Sequence, residues 1–256
     1  NETSDKQRHA INLVKRQLTL GMEKGVGRSE LSNASMLGSY LERGGNSELA
    51  AEAYEAFAEL LKDSDDRNAK SYASRFEGMA RKLGLLGNPI DLTGTELDGS
   101  DFDWNAYQGK VVLVDFWATW CGPCLAEAPN VRKNYDKYHD RGFEVVGISL
   151  DTDKKALEKY VESKDVPWVN LFEEGAGWKH PMAVKYGVSA IPGVFLVNRE
   201  GNVVSLRARG AELGKLLKGL LETKEDLERM IVEYSEKLEA NPENTELLSQ
   251  RAHAYL

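Results

Sequence analysis

The segment from residue 111 to residue 124 constrains this chain more than any other part of its sequence. It reads VVLVDFWATWCGPC: a continuous apolar run, two tryptophans, and then Cys121 and Cys124 separated by Gly and Pro. The apolar run predicts a buried strand, and a proline at this point is typical of the first turn of a helix. We therefore expect a strand that delivers two cysteines to a helix N-terminus, where unpaired N–H groups and the helix dipole stabilise a thiolate.

Two other interpretations of the cysteine pair are open from the residues alone. The first is zinc binding, but a closed zinc site needs four ligands. Cys121 and Cys124 are the only cysteines, and the four histidines show no ligand spacing. The second is a structural disulfide, for which Gly-Pro between the cysteines is a poor arrangement. The sequence favours a redox-active dithiol, with no metal and no cofactor beyond the cysteine pair.

The order of the two cysteines predicts different roles for them. Cys121 stands first, at the exposed end of the predicted helix, where N–H donors lower the pKa of its thiol and leave the sulfur open to a substrate disulfide. We predict that Cys121 is the attacking nucleophile and that Cys124, one turn further on, is shielded and acts as the resolving thiol. Gly122 and Pro123 allow the tight turn between them.

Asp115 interrupts the apolar strand VVLVDFW. A buried carboxylate without a partner is costly, so burial favours its protonated form and raises its pKa. The alternative is that this strand lies at the edge of a sheet and that Asp115 points to solvent.

Two motifs resemble those of a known family. VDFWATWCGPC, followed by Glu127-Ala-Pro129, is similar to the active-site segment of the TlpA/ResA-like branch of thioredoxin-fold proteins, which are extracytoplasmic thiol–disulfide oxidoreductases. Residues 184–204, VKYGVSAIPGVFLVNREGNVV, resemble the part of these proteins that carries a cis-proline and then a β-hairpin. The resemblance covers roughly residues 84–222. It implies an α/β, thioredoxin-like fold with a central mixed sheet flanked by helices.

The resemblance also implies roles for single residues. Asp115 matches an aspartate that assists proton transfer with the inner cysteine, and Glu127 matches a glutamate typical of the TlpA/ResA-like branch, so either carboxylate is a candidate proton carrier. An exposed Glu127 in ordinary surface pairs is the alternative. Pro192 is implied to be cis and to lie beside the dithiol, where neighbouring backbone pairs with an extended substrate strand.

Several further residues around the two motifs are expected to bind substrate. Gly193 is smaller than the threonine common at its position, so we expect a wider groove there. Trp117 either lines the same surface or belongs to the core. The expected substrate-binding residues are Trp120, Gly122, Pro123, Ile191 and Gly193.

The chain is predicted to have helical segments on both sides of the thioredoxin-like part. Residues 1–83 carry apolar residues at helical spacing and read as a bundle or a tetratricopeptide (TPR)-like hairpin. Residues 84–222 alternate strand and helix patterns, which predicts a sheet with helices on its faces. Residues 223–256 read as a helical, TPR-like tail, which is either truncated inside a longer repeat array or docks elsewhere.

Composition limits the partners of this chain. The 256 residues carry a net charge of −8, so nucleic acid and anionic membranes are disfavoured. No apolar run reaches the length of a membrane span.

The sequence begins at Asn1 without an apolar leader, so any signal peptide is expected to have been removed or omitted. A periplasmic or other extracytoplasmic location follows from the resemblance alone.

The resemblance implies an enzyme that reduces disulfides in protein partners through a mixed disulfide and is recharged by an upstream thiol reductant. A partner for the helical flanks is also expected. Two alternatives remain: a peroxiredoxin-like thiol peroxidase, and an interaction protein that uses the thioredoxin-like unit as a scaffold. Asp115 and Glu127 are acidic, and the nearest basic residue after the cysteines is Arg132, so we expect a reducing couple.

Overall fold

A mixed sheet of five strands forms the centre of the chain. The computed structural model describes residues 2–222 together with residues 232, 235 and 238. The strands are β1 (Val111–Trp117), β2 (Phe143–Ser149), β3 (Val169–Phe172), β4 (Gly193–Val197) and β5 (Val203–Ser205). Their order is β3-β2-β1-β4-β5, with β1 parallel to β2 and antiparallel to β4. The predicted thioredoxin-like fold class, a mixed sheet flanked by helices, is confirmed.

Helices flank this sheet and precede it. The first four are α1 (Glu2–Lys24), α2 (Arg28–Arg43), α3 (Ser47–Leu61) and α4 (Arg67–Leu83). The later ones are α5 (Gly122–Tyr138), α6 (Lys154–Ser163), α7 (Pro181–Lys185) and α8 (Ala211–Leu221). Their bounds follow the apolar spacing in the sequence because each helix buries one stripe of side chains against its neighbours.

The central position of β1 decides the environment of Asp115. Since side chains alternate between the faces of a strand, Asp115 shares a face with Val111 and Leu113. Both of these side chains are buried in the cluster that α5 and α8 cover. β1 lies between β2 and β4, so the alternative that placed Asp115 on an edge strand is wrong.

The N-terminal helices pack tightly on one another. Tyr54 and Phe57 of α3 and Phe76 of α4 are fully buried, and their rings are in contact. A Cβ atom at Gly38 of α2 would overlap the ring of Tyr54, so this close approach requires glycine. The TPR-like interpretation of residues 1–83 stays a prediction.

The helical segment is fixed against the sheet. The N–H of Gly87 donates to the carbonyl of Val203 in β5 at 2.8 Å, and the N–H of Val203 donates to the carbonyl of Asn88 at 2.9 Å. A Cβ atom at Gly187 would overlap the backbone of Gly78, so α4 rests directly on the loop before β4. The boundary that we predicted at residue 83 is thus a change in sequence pattern. The apolar core continues across it, from the N-terminal helices to the sheet.

The predicted TPR-like tail, residues 223–256, lies outside the described residues apart from the three positions named above. Within the described part of the chain, no helix is both long enough and apolar enough to cross a membrane.

Candidate active site

Cys121 and Cys124 form a disulfide at the start of α5. Cys121 is the N-cap residue, and its Sγ atom accepts a hydrogen bond from the N–H of Cys124 at 3.2 Å. In the reduced protein the same N–H donor and the helix dipole would stabilise a thiolate on Cys121. The two residues are 5% and 6% exposed, so the expected difference in exposure is absent in this disulfide form. The assignment of Cys121 as nucleophile therefore depends on its position at the helix end.

The surface around the disulfide is aromatic. Trp120 is 56% exposed, and Gly122 and Pro123 are exposed beside it. Trp178 is 46% exposed, and its ring centroid lies 6.2 Å from that of Trp120. The two rings are tilted by 55° to one another and together offer an exposed apolar surface to a partner. Trp178 could not be predicted as part of this surface, because the local sequence pattern does not distinguish an exposed tryptophan from a core one.

Trp117, in contrast, belongs to the core. It is buried, and its Nε1–H donates to Oδ1 of Asn170 at 2.9 Å. This hydrogen bond ties the end of β1 to β3, so the interpretation of Trp117 as a core residue is the one that the structure supports.

The loop before β4 carries the second motif. The Ile191–Pro192 peptide bond is cis, and both residues are partly exposed. Gly193 is buried, and a Cβ atom there would lie 3.2 Å from the carbonyl oxygen of Ala190. The expectation that Gly193 widens an open groove is therefore wrong: it lies beneath the loop, where a larger residue would push against backbone.

Arg209 is a further residue of the site that no sequence motif indicated. Its Nη1 donates to the carbonyl oxygen of Pro192 at 3.2 Å, and its charge acts on Asp115. The site therefore contains a cation that is distant in sequence from the cysteines. Because Arg209 is exposed, solvent screens much of its effect.

The pKa of Asp115 is raised, as its position in an apolar strand predicts. Desolvation, followed by repulsion from Glu127, raises the pKa of Asp115 to about 7, and the positive charge of Arg209 opposes this shift. Asp115 nevertheless keeps some accessible surface, because its side chain lines a cavity rather than close-packed core.

This cavity brings Asp115 and Cys124 to the same space. It has a volume of about 420 Å³, and its walls include Asp115 from β1, Cys124 and Pro129 from α5, and Tyr160 from α6. It has room for several water molecules and contains polar groups that could bind them. Asp115 and Cys124 therefore face one cavity, although they come from different elements of the fold.

Glu127 has a different environment. Its Oε1 accepts hydrogen bonds from the N–H of Gly210 and from Nδ2 of Asn130, both at 2.7 Å. Gly210 is the N-cap of α8, so Glu127 joins α5 to the beginning of α8. The alternative of an exposed glutamate in surface pairs is wrong. The two carboxylates are thus placed differently: Glu127 holds two elements together, and Asp115 faces the cavity.

A buried carboxylate positions the turn that leads into Cys121. Asp151 is 3% exposed; its Oδ2 accepts from the N–H of Thr119 at 2.9 Å and from Oγ of Ser149 at 2.8 Å. Its Oδ1 accepts from Oγ1 of Thr119 at 2.6 Å. Asp151 follows β2, the parallel neighbour of β1, so it reaches the turn at the carboxyl edge of the sheet. An acidic residue directly after a buried strand was the available sequence signal.

We expect Asp151→Ala to lower the free energy of unfolding by about 3 kcal/mol, because the partly buried donors of Thr119 and the buried hydroxyl of Ser149 lose their carboxylate acceptor. Urea unfolding of the disulfide form measures this change. Asp140→Ala, at an exposed position, is the matched control and should change the free energy by less than about 0.5 kcal/mol. Equal stabilities of the two variants would contradict the positioning role.

Comparison with known proteins relates these features to a family and to named relatives. The family described as Redoxin matches residues 75–215, which is more than half of the chain. A "Thiol-disulfide oxidoreductase ResA" from Bacillus thuringiensis subsp. konkukian is 30% identical over 110 residues, covering 43% of this chain and 61% of the relative. A protein of the same name from Geobacillus kaustophilus is 28% identical over 139 residues, covering 54% and 71%. The chain thus spans less than two thirds of the first relative.

Solved structures are similar to about half of the chain. The thioredoxin domain of a thiol-disulfide oxidoreductase from Bacteroides vulgatus is 29% identical, covers 54% of this chain and 98% of its own, and has a TM-score of 0.49. A solution structure of a thiol:disulfide interchange protein from Bacteroides sp. is 28% identical, covers 54% and 91%, and also has a TM-score of 0.49.

Proposed function

This chain belongs to the redoxin family, and on that premise we propose that it is a thiol–disulfide oxidoreductase that reduces disulfides in extracytoplasmic protein partners. The observation that carries the proposal is the disulfide at the N-terminus of α5, with Asp115 and Cys124 on one cavity. The name of the ResA relatives supports the reaction class. The periplasmic location and the protein substrates are carried over from the family resemblance.

The first step is attack by the reduced enzyme. The Cys121 thiolate, stabilised by the N–H of Cys124 and the helix dipole, attacks one sulfur of a substrate disulfide. The substrate S–S bond breaks, a mixed disulfide forms on Cys121, and the other substrate sulfur leaves as a thiolate and takes up a proton. Trp120, Trp178 and the Pro192 loop supply the surface on which the substrate lies during this step.

The second step releases the product. Asp115 takes the proton of Cys124 across the cavity, and the Cys124 thiolate attacks the sulfur of Cys121. The mixed disulfide breaks, the second substrate sulfur leaves as a thiol, and the Cys121–Cys124 disulfide forms. The substrate has gained two electrons and two protons. An upstream thiol reductant must return the same number to the enzyme.

The direction of transfer gives the test of this function. We expect a reduction potential clearly below about −200 mV, because Asp115 and Glu127 bring negative charge to the site and disfavour a thiolate, whereas the positive charge of Arg209 is exposed and screened by solvent. Equilibration with thiol buffers of known potential, read by tryptophan fluorescence, measures this potential.

The protein should also accelerate insulin reduction by dithiothreitol. A potential above about −150 mV would indicate an oxidase or isomerase. A folded protein inactive on insulin would favour the scaffold alternative, and rapid peroxide turnover would favour the peroxidase.

A further inference from the structure

A cavity of about 530 Å³ lies where α4 meets the loop before β4. Arg75, Met79 and Lys82 of α4 form one side, and the exposed residues Ser189 and Ala190 form the other. Ala190 is two residues before Pro192 in the sequence. The cavity therefore adjoins the loop on which the proposed substrate strand would pair.

The walls of this cavity are held in place. Gly187 also lines the cavity and has a φ of 64°. It packs directly on the backbone of Gly78, so that a Cβ atom at Gly187 would overlap that backbone. The chain between α4 and the sheet is also tied down by the hydrogen bond between Gly87 and Val203. A site built from these two elements is preformed rather than assembled on binding.

Positive charge predominates around this cavity. The carboxylate of Glu42, which also lines it, is bound by Arg207 at 2.8 Å, so its charge is already compensated. Arg75 and Lys82 remain as the other charged lining groups. Lys82 is partly buried; desolvation lowers the pKa of its ammonium group, Glu42 raises it, and Arg207 lowers it. A partly desolvated cation gains from an added anion more than an exposed one does.

We propose that this cavity binds the carboxylate of an acidic side chain in the disulfide substrate, near the strand that pairs with the Pro192 loop. This inference rests on the proposed function and names a feature of the substrate. Lys82 and Arg75 donate hydrogen bonds to the carboxylate, and Met79 contacts the aliphatic part of the same side chain. The chain as a whole carries a net charge of −8, which disfavours binding of an acidic substrate segment. This local cationic site would instead attract an acidic side chain that is placed next to it.

The test uses two peptides of equal length that contain one disulfide and differ only in a flanking Glu or Gln. We expect the full chain to reduce the Glu peptide with a kcat/KM about tenfold higher at low salt, because Lys82 and Arg75 both attract its carboxylate. Lys82→Gln should lower this preference to about threefold or less through KM and leave the Gln peptide within about twofold of its original value. Lys70→Gln, at an exposed position of the same helix, is the matched control and should keep the preference.

Each outcome supports or overturns the inference. If the full chain reduces neither peptide, the proposed function itself fails. If it reduces both peptides equally, or if Lys82→Gln slows both equally, the site does not bind a carboxylate of the substrate, while the oxidoreductase proposal stands. If inorganic phosphate at millimolar concentration binds but the peptides show no preference, the cavity takes a free anion and the substrate inference is overturned. Should Lys82→Gln fail to fold, Arg75→Gln, at an exposed residue, carries the same expectation.

Discussion

Cys121→Ser is expected to lower the rate of insulin reduction at least about 1,000-fold, because a serine hydroxyl is not ionised at neutral pH and cannot form a mixed disulfide. The effect should lie in kcat and not in folding, since the two side chains differ by one atom. The turbidity of precipitating insulin chains measures the rate. Thermal unfolding of the variant and of the reduced native protein should give similar midpoints.

Cys124→Ser is the informative partner of this variant. It retains the attacking thiolate but cannot resolve the intermediate, so a covalent complex with a substrate thiol should accumulate and appear in the intact mass. Alkylation of the reduced native protein at pH 6 to 7 should label Cys121 first, because the helix N-terminus lowers the pKa of its thiol below the free value of about 8.5. First labelling of Cys124, or trapping by Cys121→Ser in place of Cys124→Ser, would reverse the two roles.

Asp115→Asn is expected to stabilise the disulfide form by up to about 4 kcal/mol at pH 8. The pKa of Asp115 is about 7 in the folded chain against an ordinary value of 3.8, so folding disfavours its ionised form. At pH 3 and below, Asp115 is largely protonated in both states, and at pH 4 the variant should still gain little. The difference should grow as pH rises from about 4 to about 7 and then level off. Urea unfolding at pH 4 and pH 8 measures both ends of this window.

The same variant should be a slower enzyme. If Asp115 takes the proton of Cys124, then Asp115→Asn should slow the release of the mixed disulfide roughly 100-fold at neutral pH without abolishing attack by Cys121. Glu127→Gln is the comparison, because the structure gives that side chain hydrogen bonds to Gly210 and Asn130. A larger kinetic effect of Glu127→Gln would make Glu127 the proton carrier. Negligible kinetic effects of both variants would remove both residues from the mechanism.

The sequence by itself determined the part of the site that lies within one continuous stretch. The apolar run Val111–Trp117 forms β1, and Pro123 in the first turn of α5 sets the disulfide at the helix N-terminus. These features were predictable because the spacing of apolar residues and the position of a proline determine local structure within a few residues. Asp115 was recognisable for the same reason, as one charged residue in an apolar strand.

Only the tertiary structure decided which distant groups share a space. Asp151 holds the turn at Thr119, 32 residues earlier in the chain, and Glu127 binds Gly210, 83 residues later. Arg209 reaches the carbonyl of Pro192, and α4 meets the loop before it. No local period encodes such pairings, because they depend on strand order and on which face each helix covers. The dithiol can therefore be predicted from its own segment. The cavity that Asp115 and Cys124 line, and the cavity between α4 and the loop before β4, arise from the way the sheet and helices pack.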